Sequence, residues 1–156
     1  MSRGLPIDLS KVSAADVFPE GRFRVRVQRA EVWPKDKDLG QEGEIPGELN
    51  DEGKQRYGAL NVGYKFTEHA TNYVPDPKTG EPKPLAGRFI SEMISFHPSF
   101  VRHVRELYDN TATDPKLPPV ELVGKELDIV IKNKARRDDP EGPKESTISR
   151  RALPVG

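Results

Sequence analysis

Apolar residues recur at helical spacing in one stretch of this chain and at a period of two in several others. That pattern restricts it to a β-rich fold carrying a single helix. The helical stretch follows His97-Pro98, where Val101, Val104, Leu107 and Tyr108 share a side opposite Arg102, Arg105, Glu106 and Asp109. Ser99 or a neighbour caps it, and DPKLPP ends it. Average usage predicts roughly 8 prolines in a chain of this size. The 15 present among 156 residues break it into short elements and exclude a helical bundle.

The period-two segments predict five strands. Arg22 to Trp33 sets Phe23, Val25 and Val27 against Arg22, Arg24 and Arg26, then changes phase near Gln28 so that Ala30 and Val32 become the apolar positions. A phase change inside one long strand predicts a bulge or sharp bend. Tyr57 to Glu68 sets Leu60, Val62, Tyr64 and Phe66 against Ala59, Asn61, Gly63 and Lys65. Gly87 to His97 reads two ways, because Ile90, Ile94 and Phe96 share one parity with Glu92 while Phe89 and Met93 share the other. Leu122 to Lys134 supplies a fourth strand with Leu127, Ile129 and Ile131 inward, and Glu145 to Leu153 a polar fifth anchored by Ile148. A polar last strand at an open edge would pair across a homodimer.

Between these lie an arm over residues 1–18, a long acidic loop over 34–56, a proline-rich turn (PDPKTGEPKP) and a charged turn over 135–144. Residues 19–156 then form one domain. Three strands, one helix and two strands match a five-stranded, OB-fold-like Greek-key barrel with its helix between strands three and four. A two-sheet sandwich would need more strands.

The chain has no Cys, three dispersed His, and 25 Lys+Arg against 25 Asp+Glu. This leaves no thiol chemistry, no His or Cys spacing suited to a metal, and no overall basic charge. Gly124-Lys125 lacks the glycines of a phosphate loop, Asp138-Asp139 suits a turn, and no Ser sits in a G-x-S-x-G setting. No catalytic residue, cofactor or metal is expected. No window is apolar enough to span a membrane and no secretory leader is visible, so a cytoplasmic location is expected.

What remains is charge and aromatic placement. Arg22, Arg24 and Arg26 stand about 6.5 to 7 Å apart along one strand face, a spacing that suits phosphates of an extended single strand. The outward face of strands two and three offers Lys65 and Asn61 beside small residues. Phe89 and Met93 join that face if Ile90 and Ile94 point inward. Trp33 and Tyr57 bracket the acidic loop, and Lys132, Lys134, Arg136, Arg137, Arg150 and Arg151 crowd the last hairpin.

The segments PEGRFRVRVQRAEV, LNVGYKFTEH, LAGRFISEMISF, VRELYD and ELVGKELDIVI resemble the small phage-encoded single-stranded-DNA-binding proteins. Pro19, Gly21, Phe23, Gly87, Arg88, Leu122, Val123, Gly124 and Lys125 carry the resemblance. It implies an OB-fold and a role in phage replication or recombination in the host cytoplasm. The chain departs from it in residues 34–56, in the insertion near Pro75 to Pro84, and in ending RRALPVG rather than in an acidic tail.

The resulting expectation is non-enzymatic, largely sequence-independent binding of single-stranded DNA. Arg24 and Arg26 contact phosphates, Phe89 and Tyr57 stack bases, Lys65 and Arg88 line the groove, and Lys134, Arg136 and Arg137 clamp from the last hairpin. Replication or recombination proteins are the expected further partners. The alternative is an interaction module that recruits a replication or host factor through its acidic loop.

Overall fold

The central strand of the fold is β1 (Gly21–Trp33), and the phase change in its sequence decides how its neighbours attach. In a computed structural model, which describes residues 18–40, 43–75, 78–135, 141 and 145–154, Phe23, Val25 and Val27 point into the core. A bulge between Val27 and Arg29 then resets the alternation so that Ala30 is the next buried position. The first half of β1, Gly21 to Arg26, pairs antiparallel with β8 (Glu126–Lys134). Val25 to Trp33 pairs antiparallel with β4 (Ala59–Phe66).

Outside these lie β7 (Phe89–Ser95) on β4 and β9 (Glu145–Ala152) on β8, giving the antiparallel order β7-β4-β1-β8-β9. The sheet is not closed, and β7 and β9 are its edges. One side of β1, β4, β7 and β8 supplies the core, with Leu60, Val62, Tyr64 and Phe66, Ile90 and Ile94, and Leu127, Ile129 and Ile131 joining the β1 residues. Helix α1 (Val101–Asn110) adds Leu107 and Tyr108, and the short 3-10 turn Pro119–Leu122 adds Leu122. The helix N-cap is Phe100, with no side-chain cap.

Several expectations are corrected. Phe18 belongs to the core rather than to a loose arm, because its ring stacks on Phe66 at 5.3 Å; residues 1–17 lie outside the described part. Residues 34–56 contain a hairpin, β2 (Glu44–Leu49) with β3 (Gln55–Tyr57). Its turn closes because the Asn50 side chain accepts from the N–H groups of Glu52 and Lys54 while Gly53 adopts φ +77°. Buried Ile45 fixes it below, and the Gln55 amide donates to the Ile45 carbonyl at 2.7 Å.

The proline-rich stretch likewise forms a small hairpin, β5 (Tyr73–Pro75) with β6 (Pro82–Pro84). Buried Asn72 ties it to β1: its amide donates to the carbonyls of Arg24 and Thr67, and its oxygen accepts from the Arg24 N–H at 2.9 Å. Leu122 is held in the 3-10 turn and strand β8 starts only at Glu126, after Gly124 turns at φ +90°. In β9 the buried residues are Arg151 and Ala152, whereas Ile148 is half-buried. Among the described residues no helix is long and apolar enough to cross a membrane.

Candidate nucleic-acid interface

The side of β1, β4 and β7 that faces away from the core is organised by the strand register into cross-strand rows. Arg26, Lys65 and Phe89 form the first, and Arg29, Gly63 and Ser91 the second. Glu31, Asn61 and Met93 form the third, and Trp33, Ala59 and Ser95 the fourth. The parity left open for β7 is resolved: Ile90 and Ile94 are buried, while Phe89 and Met93 are 62% and 54% exposed.

Two cations and an aromatic ring therefore meet at one end. The Lys65 ammonium lies 5.7 Å from the Phe89 ring centroid, and Arg26 stands 3.7 Å from the Glu126 carboxylate with half its side chain exposed. A ring left open to solvent beside a cation is a surface on which a base can stack and its phosphate can be held. A cleft of about 500 Å³, lined by Arg26, Gln28, Lys65, Glu68, Gly87 and Glu126, adjoins this row.

Arg29 is a contributor that the sequence reading missed. Its side chain lies over Gly63, whose missing Cβ leaves the floor shallow, and its guanidinium reaches the Asn61 side chain at 3.3 Å. The signal was present: once the bulge at Gln28 is counted, Arg29 falls on the same side as Arg26. At the other end Trp33 is 40% exposed. Tyr57 meets the His97 ring edge-on at 5.0 Å, and His97 in turn lies 6.1 Å from exposed Phe100. His97 and Phe100 were also missed, because the sequence places them merely at a strand end and a helix start.

The remaining expected residues do not join this cluster. Arg24 is drawn into a ladder with Arg22, in which both guanidinium Nε atoms donate to Asp128 at 2.6 and 2.8 Å, and its side chain is only 13% exposed. Arg88, in the turn just before β7, instead covers the Phe18 ring at 4.7 Å. Lys134 pairs in register with Glu145, eight residues along β8 from Glu126 and so about 26 Å from Arg26 at the strand rise. Arg136 and Arg137 lie outside the described residues. Arg151, expected among the basic residues of the last hairpin, is buried.

That buried Arg151 explains the mixed parity of β7. Glu92 points inward from one sheet edge and accepts from the Arg151 guanidinium of the other edge in a bidentate pair, with the Nε contact at 3.0 Å. The Tyr64 hydroxyl donates to the same carboxylate. From α1, Glu106 accepts from the Arg151 backbone N–H at 2.6 Å, and Asn110 donates to the Arg151 carbonyl at 2.9 Å. Side chains and the helix thus span the edges that the backbone leaves unpaired.

Burial, followed by the charge and hydrogen bond of Glu92, pushes the Tyr64 hydroxyl far above its usual range. For Arg151, burial acts against the charge, but the hydrogen bond and charge of Glu92 prevail and hold it above its usual value. Burial and the neighbouring Arg151 and Arg102 push His103 down.

Comparison with family models finds no match for this chain, and comparison with curated proteins finds none either.

Proposed function

We propose that this protein is a non-enzymatic, largely sequence-independent single-stranded-DNA-binding protein, acting in phage replication or recombination and built on an OB-like barrel. The observation that carries the reading is the outward face of β1, β4 and β7. Exposed Phe89, Met93 and Trp33 share it with the cations Arg26, Arg29 and Lys65. Every base has a face that can stack on an exposed ring, so such a surface binds without sequence choice. The strand order supports the barrel, since it is what a partly open five-stranded Greek-key barrel yields when its third and fifth strands are bridged by Arg151 and Glu92 instead of by backbone.

The salt dependence of binding tests the assignment. Three single-strand phosphate contacts give a slope near −2 in log K against log salt, or roughly 18-fold weaker binding between 50 and 200 mM salt. Arg29→Glu or Lys65→Glu reduces both affinity and slope, and Lys134→Glu leaves them unchanged. Equal effects at all three positions would place the contacts elsewhere.

A second reading, an interaction module, is favoured by an apolar groove of about 550 Å³ where Leu39, beside the β2–β3 hairpin, faces Phe96, Pro98 and Val101. The hairpin's acidic character is reduced because Glu48 is paired with Lys37 and Arg56. Lys37's hydrogen bond also pulls the Glu48 pKa down. A partner captured through this groove would be lost with Leu39→Glu.

A further inference from the structure

The exposed rings of the candidate interface stand at its two ends, while its middle carries no ring, only small or polar side chains and the exposed Met93. Phe89 occupies the first row and Trp33 the fourth, with Gly63 and Ser91 between them in the second. From Lys65 to Ala59 is six residues along β4, about 20 Å at the strand rise, and the two rings are two strands apart, about 10 Å. The diagonal between them is therefore about 22 Å.

A nucleotide has six backbone bonds where an amino-acid residue has three, so an extended single strand advances about twice the peptide repeat, roughly 6.6 Å per nucleotide. The diagonal corresponds to about three such steps, which puts four bases from one ring to the other. Tyr57, two residues before β4, and His97, two residues after β7, add room for a fifth.

The charges suit the same path. Arg26, Lys65 and Arg29 serve the first two rows. The acidic residue of the third row, Glu31, is paired with Lys35 and so leaves no uncompensated negative charge across the route.

We infer that the interface holds a stretch of four to five nucleotides by stacking a base at each end, on Phe89 and on Trp33, with the intervening phosphates on Arg26, Lys65 and Arg29. This rests on the single-strand reading proposed above. The middle bases cross a floor without rings and contribute little, so the site discriminates by length rather than by sequence.

Trp33 is the chain's single tryptophan, so quenching of its fluorescence reports stacking at that end directly. Titration with oligothymidylates of three, five and ten nucleotides tests the proposal. A trimer reaches one ring only, so it binds more weakly than the pentamer by the value of one stacked base, about 5- to 150-fold. The decamer gains no more than the roughly sixfold that its six five-nucleotide registers supply and accepts two proteins, because a second site's worth of chain adds no contact to the first. In Phe89→Ala, which truncates an exposed side chain, the pentamer falls to the affinity of the trimer and the trimer still quenches Trp33.

Equal binding of trimer and pentamer would mean that the strand crosses the sheet without reaching both rings, and would overturn the proposal. So would affinity that keeps rising well beyond five nucleotides with one protein per decamer. Either result leaves single-strand binding itself intact. Failure of the decamer and of long polythymidylate to bind at all would overturn both.

Discussion

Arg151→Met is the substitution that most directly probes how the open sheet is held together. The Arg151 side chain is 4% exposed and Glu92 is 11% exposed, and they form a bidentate pair reinforced by Tyr64 and Glu106. Removing the guanidinium leaves a carboxylate inside the protein with the Tyr64 hydroxyl but without its counter-charge. Breaking one side of a buried pair costs about 3–5 kcal/mol. At about 2.1 cal/mol/K of unfolding entropy per residue, this chain has roughly 0.3 kcal/mol/K in total, so Tm falls by about 9–15 °C.

Pairing the change with Glu92→Gln removes the stranded charge while keeping an oxygen for the Tyr64 hydroxyl. The double variant therefore regains at least about 2 kcal/mol over Arg151→Met alone, as expected when a buried pair is replaced as a unit. Urea and thermal melts followed by circular dichroism measure both. If Arg151→Met melts within about 3 °C of the parent, roughly 1 kcal/mol at this chain length, the edges are not held by this pair.

Three further outcomes follow from the fold. Asn72→Ala removes the side chain that satisfies both backbone groups of Arg24, at a cost of about 2–4 kcal/mol in urea melts; a loss under 1 kcal/mol would show the β5–β6 hairpin to be dispensable. At Gly58 an added Cβ would stand 2.5 Å from Leu39 Cδ1 and 2.6 Å from the Trp33 carbonyl oxygen. Gly58→Ala should thus cost about 1–3 kcal/mol, and a neutral result would mean that segment moves freely. His103, pushed down by burial and by Arg151 and Arg102, takes up a proton later than it does in the unfolded chain. Its stability contribution is present above about pH 6.5 and is lost as pH falls below that value. His103→Gln therefore flattens Tm against pH below about pH 6.5, and an unchanged profile would remove His103 as the cause.

The strands and helix of the main sheet were legible because their alternation is strong: Phe23 to Val27, Leu60 to Phe66 and Leu127 to Ile131 all bury the side their period predicts. The two small hairpins were not, since β2–β3 and β5–β6 are held by Asn50, Gln55 and Asn72 side chains rather than by an apolar period. The candidate site was half legible. Lys65, Arg26 and Phe89 follow from parity alone, but Arg29 needs the bulge counted. Arg24 needs knowledge of Asp128 across the sheet, and Arg151 needs Glu92, 59 residues away in sequence. Sequence gives the side on which a charged residue emerges; its partner decides whether it is available to a ligand.

Fluorescence anisotropy of a labelled twenty-nucleotide polythymidylate, titrated with the protein and then with unlabelled duplex of equal length, tests the central proposal most directly. The expected result is binding that weakens with added salt and that the duplex fails to displace, because paired bases cannot stack on Phe89 or Trp33. A folded protein that leaves the anisotropy unchanged at low salt, or that releases the single strand to duplex as readily as to itself, would contradict it.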